Sequence, residues 1–249
     1  MLKVFNCDLH VHTCLSPCAE LDMHPMALVL KAIEAKLDMI AICDHNSSAN
    51  VPYVINAART SKLKILPGME ITTSEEVHLL AIFDSLSNLA LLQKIIDQHL
   101  PGENDEERFG VQAIVNENCE VEGINNQLLI GATDLSLDTM IGYIHQFDGL
   151  AIAAHIDRES FSALSQLGFI DDNAGFDALE ITHLTGFDQA RIKYQELCKY
   201  SFIVSSDSHF LKDLGQDFTR FYLEEPSFAE LKMALKKQNG RCVMEQSRV

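Results

Sequence analysis

Met39-Ile40-Ala41-Ile42-Cys43-Asp44-His45-Asn46 decides how the chain is read. The apolar run Met39 to Cys43 suits a strand buried on both faces, as in a parallel sheet covered by helices. It ends in a carboxylate and an imidazole. The same ending recurs up and down the chain. Upstream, the apolar run Leu2 to Phe5 leads into Cys7-Asp8-Leu9-His10-Val11-His12-Thr13. Read as a strand, this places Asp8, His10 and His12 on one face. A polar loop, Cys14 to Asp22, precedes a helix predicted from Pro25, with Met26, Val29, Leu30, Ile33 and Leu37 on one face.

Downstream, a helix over 51–61 leads to a strand from Lys64 to Met69 that ends at Glu70. Only seven residues separate Glu70 from His78, which opens the next apolar run, Val77 to Phe83. That is too short for a parallel crossover, so the two strands must pair antiparallel and His78 meets Glu70 at one rim. A helix over 85–98 follows, then an acidic loop from Pro101 to Arg108. Residues 109–135 carry mixed patterning and read as a small helical insert. Regular alternation returns with a helix over 136–147 and a strand from Leu150 to Ala154 ending at His155. A helix over 160–167 leads to Ala178 to Ile181, ending near His183. After a helix around Phe187 to Leu197, a strand from Phe202 ends in Asp207-Ser208-His209. Phe218 to Leu223 and a helix opened by the capping box Ser227-x-x-Glu230 complete the pattern. This is an α/β chain, read as one catalytic domain over 1–249 with an insert or lid at about 99–135.

In parallel α/β folds, chemistry collects at the carboxyl ends of the strands. His10, His12, His45, Glu70, His155, Asp207 and His209 all fall there, and the hairpin adds His78. Six of the chain's ten histidines are used in this way. Imidazole and carboxylate ligands without paired cysteines suit zinc, manganese or iron. Eight ligands exceed one tetrahedral zinc, so the expected cofactor is two or three divalent ions. Glu70 or Asp207 can bridge two ions. Asp8 and Asp44 are expected to orient imidazoles by accepting their other N–H. A stabilising metal site without turnover is the plainer alternative, but such sites normally close around a single ion.

The bulk numbers set limits. The chain has 249 residues, 47% of them hydrophobic, enough for a substantial core. No run approaches the ~18 apolar residues of a membrane span, and the N-terminus enters a strand with no secretory pattern. The expectation is a cytoplasmic protein with no membrane partner. Seven cysteines are scattered without Cys-x-x-Cys spacing and read as reduced. The formal charge of −17 argues against duplex nucleic acid as a partner. A small phosphorylated substrate, a nucleotide or an oligonucleotide end among the choices, stays open because bound cations reverse the local field. Nothing in the sequence fixes an oligomeric state.

Asp8-Leu9-His10-Val11-His12-Thr13, Cys43-Asp44-His45-Asn46, Gly68-Met69-Glu70 with His78-Leu79-Leu80, Ala154-His155 and Ser206-Asp207-Ser208-His209 together resemble the ordered motifs of the PHP (polymerase and histidinol phosphatase) family. The resemblance runs from residue 8 to 209 and is closest to its stand-alone metal-dependent phosphoesterases. It implies a distorted seven-stranded (β/α) barrel with a multinuclear metal cluster at its rim, and phosphoester hydrolysis. The sequence departs from the family where an acid or histidine five or six positions after the second His can bind a third metal. Pro17 and Cys18 stand there. Cys18 either packs or ligates as a thiolate, Glu20 or Asp22 reaches in, or the third site is weak or absent.

The expected activity is hydrolysis of a phosphomonoester or terminal phosphodiester by a metal-activated hydroxide. Arg158, three residues after His155, is either a phosphate grip or a surface salt bridge. His183 either protonates the leaving group or lines the rim. Two rivals are an amidohydrolase-like metal hydrolase acting on C–N or carboxyl ester bonds and a non-catalytic metal-binding module.

Overall fold

The computed structural model describes residues 1–171 and 173–245. The first half follows the alternation: β1 (Lys3–Val11), α1 (Pro25–Glu34), β2 (Met39–Ile42), α2 (Val51–Ala58) and β3 (Lys64–Thr72). The strands β1, β2 and β3 pair parallel in that order, and β2 is buried throughout. In α1, His24 caps the N-terminus and Pro25 opens the first turn. The buried face is Pro25, Leu28, Val29 and Ala32, whereas Leu30 and Ile33 are exposed. The expected face was therefore rotated by about one residue.

β4 (His78–Ile82) folds back on β3, with Thr72 opposite His78 and Glu70 opposite Leu80. α3 (Leu86–His99) is capped by Ser85 and buries Leu89, Leu92 and Ile96. The insert is not helical. Beyond the single turn α4 (Glu106–Phe109), it is a two-stranded ribbon, β5 (Ala113–Val115) and β6 (Val121–Ile124). Its short alternating runs pair with each other across a turn at Cys119 (φ 66°), a local β signal too brief to stand out from the surrounding polar residues. Asn50 and Asn46 fasten the insert to the barrel. The Asn50 amide donates to Ala113 O and accepts from Val115 N, and the Asn46 amide donates to Leu129 O and Gly131 O.

α5 (Leu137–Gln146), β7 (Leu150–Ala153), α6 (Ala163–Leu167), β8 (Ala178–Glu180), α7 (Gly186–Lys193), β9 (Phe202–Ile203), β10 (Thr219–Leu223), α8 (Phe228–Leu235) and β11 (Cys242–Met244) complete the chain. Among the described residues the main sheet has nine strands, in the order β11-β10-β1-β2-β3-β4-β7-β8-β9. The expected count of seven is corrected by β10 and β11, which add antiparallel to the outer side of β1. The sheet is nearly closed: beyond β9, Ser208 bridges Val11 of β1, and His12 N donates to Ser208 O. Backbone bonds also tie the neighbouring strand ends, from Cys43 N to Val11 O, Glu70 N to Asp44 O, Ala154 N to His78 O and Ile156 N to Glu180 O. The rim is therefore a hydrogen-bonded ring.

Gly68 lies where three strands crowd together. A Cβ there would sit 2.9 Å from Ile42 O and 3.1 Å from Ala81 O. Backbone atoms on both sides leave no room to yield. Gly68→Ala is expected to lower stability by about 2 kcal/mol, the usual scale of core overpacking, read as a lower midpoint in urea denaturation; an unchanged midpoint would show that the strands can separate there.

Candidate metal centre

Each predicted ligand comes from a strand end, and the ring brings all of them together around two carboxylates. Glu70 is 1% exposed and has five imidazole nitrogens around it. His78 Nδ1 lies at 2.8 Å and His45 Nδ1 at 3.0 Å. His155 Nε2 is at 3.3 Å, His10 Nε2 at 3.4 Å and His12 Nε2 at 3.5 Å. Asp207 Oδ1 sits 3.3 Å from His10, 3.2 Å from His12 and 3.7 Å from His209. His155, Asp207 and Asn46 all take positive φ, 28°, 48° and 49°, at the rim. Left-handed non-glycine residues gathered at one place mark a site whose surroundings hold them there.

Burial raises the cost of charge on Glu70, yet His78, His10 and His45 hold its carboxyl well below the usual range. Asp207 is likewise held low against its burial, chiefly by His10 and His12. The imidazoles divide. Burial opposes charge on His10 and His45, but Asp207, Glu180 and Glu70 raise the first and Glu70 raises the second to about 10. His12 is pushed well down by burial and by His209. Charge is thus favoured on His10 and His45 and disfavoured on His12 beside the two carboxylates.

Several contacts within the cluster are poor hydrogen bonds. His10 Nε2 and His12 Nε2 face each other at 3.1 Å, where only one can carry a proton. His45 Nδ1 is close to Glu70 but not aligned to bond it, and His155 Nδ1 has no partner. Buried nitrogens that converge without satisfying one another fit cations between them. Three groups have ligand atoms within 4.8 Å of one another: His12, His45 and His209; His10, His12 and Glu70; His45, Glu70 and His78.

The supporting contacts differ from those expected. Asp44 does not touch an imidazole; it accepts from Ser16 Oγ, and Ser16 Oγ in turn meets His12 Nδ1 at 2.9 Å. Asp8 accepts from Ser206 N and touches no imidazole nitrogen, and burial pushes its carboxyl up to about 7. The group that holds His10 is Glu180, which accepts from Nδ1 at 3.0 Å and also from His155 N. Glu180 ends a strand just as Glu70 does, and that signal was present in the sequence.

Beside the cluster, Arg158 reaches Asp207 Oδ2 at 2.6 Å with its side chain half exposed. A cavity of about 440 Å³ opens there, lined by Arg158, His155, Asp207, Glu180 and His183 among others. His183 Nδ1 is 3.2 Å from Asp217. Cys18 is exposed as a residue, but the imidazoles of His209 and His45 outweigh the partial burial of its thiol and bring it down to about 6. Glu20 and Asp22 are exposed and lie outside the three ligand groups. His24, His99 and His145 are occupied elsewhere, at a helix cap, at Asp134 and at Asp177.

The PHP domain profile matches residues 8–224. The chain belongs to the PHP family. Its fold is similar to that of the lesion-specific endonuclease PfuEndoQ from Pyrococcus furiosus, with a TM-score of 0.75 at 20% identity over 97% of this chain. A protein from Bifidobacterium adolescentis, described as a candidate metal-dependent phosphoesterase, matches with a TM-score of 0.58 at 20% identity, covering 85% of this chain and 91% of that one. The uncharacterized protein YqxK of Bacillus subtilis (strain 168) is 29% identical over 106 residues, 41% of this chain and 27% of its own length. The chain thus spans about half the length of endonuclease Q, 58%, and about a quarter of YqxK.

One expectation falls here. Net charge was read as excluding duplex nucleic acid, yet an endonuclease Q structure, matched over 97% of this chain with a TM-score of 0.74, holds a 27-mer duplex with an abasic lesion at its active site. The family match and the converging His and Glu groups make this rim the candidate metal centre of the chain. Among the described residues no helix is long and apolar enough to cross a membrane.

Support for the cluster is open to test. Glu180→Gln and Ser16→Ala are each expected to weaken divalent-metal binding about 10- to 100-fold, the usual cost of losing a partner behind a ligand, measured by competition with a chromophoric chelator. Unchanged affinity in both would remove these residues from the site.

Proposed function

We propose that this chain hydrolyses phosphomonoesters or terminal phosphodiesters. The observation that carries the reading is Arg158, a half-exposed guanidinium held 2.6 Å from Asp207 at the mouth of the cluster. It is the cation positioned to meet an anion approaching the converging imidazoles and carboxylates. A planar fork matches two phosphoryl oxygens, which a C–N or carboxyl ester substrate does not offer.

His10, His12, His45, Glu70, His78, His155, Asp207 and His209 would hold two or three zinc, manganese or iron ions, with Cys18 beside His45 and His209 as a further donor. Such ions, when bound, polarise a phosphoryl group and acidify water. The chain's own residues do the rest. Glu180 and the Ser16–Asp44 pair fix the rings of His10 and His12. Arg158 binds and orients the phosphate. His183, its Nδ1 held by Asp217, keeps Nε2 for giving a proton to the leaving oxygen across the cavity. Nucleotides and small phosphorylated metabolites fit this reading. Because endonuclease Q takes an abasic duplex, an abasic duplex belongs among the substrates tried.

Substitutions at three positions test the assignment. His10→Ala or Asp207→Ala is expected to lose both bound metal, by elemental analysis, and phosphate release. Arg158→Ala is expected to keep its metal and lose about 30-fold in kcat/KM, as for a charge-assisted hydrogen bond of ~2 kcal/mol, with Arg158→Lys restoring only part. Phosphate release with full metal content in His10→Ala would overturn the assignment.

A further inference from the structure

The loop from His155 to Ser162 carries Arg158 and the ligand His155, and also a residue with no part in the chemistry so far. Phe161 lays its ring on the imidazole of His78, with centroids 4.6 Å apart and planes 23° from parallel. Its carbonyl accepts the His78 N–H at 2.8 Å. Its backbone is left-handed, at φ 56°, a conformation that a bulky aromatic residue seldom adopts. It is also 38% exposed. Phe161 therefore gains neither full burial nor a relaxed backbone. The loop itself is pinned, since Arg158 N donates to His155 O and Ser162 Oγ donates to Arg158 O. Strain held by such pinning is typical of a side chain aimed at a task.

One face of the Phe161 ring is covered by His78, so its exposure lies on the outer face and edge. His78 is itself flanked by His45 and His155, at ring separations of 5.3 and 5.4 Å, and cannot swing away. The ring is thus preorganised as a flat apolar platform one residue removed from the cluster. Phe161 lies outside the cavity that Arg158 and His183 line, on the side of the cluster formed by His78 and His155; a phosphoester held at the cluster with its remainder on that side would lay a planar substituent on the platform. Stacking on aromatic faces is tolerant of which base is present.

We infer that Phe161 is a substrate-binding platform that selects phosphoesters bearing a planar ring, a nucleobase or an aryl group, over those with an alkyl or polyol remainder. This rests on the proposed phosphoesterase reading and narrows its substrate class.

The test compares adenosine 5′-monophosphate with glycerol phosphate on metal-loaded protein. Two readouts are taken, kcat/KM for each ester and equilibrium binding of adenosine 5′-monophosphate by dialysis. Phe161→Leu keeps a side chain of similar size at the same backbone angle, and Phe161→Tyr keeps the ring. The wild type is expected to favour the nucleotide. That preference should fall about tenfold in Phe161→Leu, mainly through KM, and persist in Phe161→Tyr. Nucleotide binding should weaken by a similar factor in Phe161→Leu, with metal content equal in all three proteins. An equal loss on both esters, or no loss of preference, overturns the platform. Absence of turnover on either ester in the wild type counts against the phosphoesterase reading; the dialysis result still decides the platform, by whether binding differs between wild type and Phe161→Leu.

Discussion

The structure depends on one buried carboxylate. Glu70 is almost fully removed from water at the end of β3, and five histidines crowd around it. A carboxylate in that position is tolerable only when positive charge surrounds it. The imidazoles supply part of that charge, and each competes with its neighbours for the same few protons. The arrangement is therefore strained as a set of side chains and suited to divalent cations. The rim exists to hold it.

The fold achieves this through closure. His10 and His12 come from β1, His45 from the end of β2, and Asp207 and His209 from beyond β9, far apart in sequence. The Val11–Ser208 bridge joins the two ends of the ring. The hairpin between β3 and β4 brings in His78 from the start of a strand, where a parallel sheet would have sent it to the opposite end. Asn46 and Asn50 then fasten the insert next to the loop that carries Cys18, where Gly110 lies against Pro17 O. Two buried amides thus add to the packing of Ala113, Val115 and Leu129 in holding the segment.

Much of this could be read from the residues. Apolar runs ending in His, Asp or Glu marked the rim, and the seven residues between Glu70 and His78 fixed the antiparallel turn between β3 and β4. What escaped depended on contacts between distant segments. Glu180 follows the same rule as Glu70, but its partner His10 lies 170 residues away. Asp44 reaches His12 only through Ser16, a relay with no periodicity. β11 is three residues long, and the ribbon of the insert is scarcely longer, so neither left a pattern against its polar surroundings. Charge misled for a related reason. A total of −17 says little about the local field at a rim lined by six imidazoles.

A multinuclear centre on His10, His12, His45, Glu70, His78, His155, Asp207 and His209 is what would tie the ring to its chemistry. Its most direct test is metal stoichiometry at saturation, by elemental analysis of protein purified without chelator and loaded with zinc, manganese or iron. Anomalous diffraction at the metal edge would locate the ions. At least two ions per chain are expected, both within the ring around Glu70 and Asp207. A single ion, or ions bound elsewhere with the ring empty, would contradict such a centre.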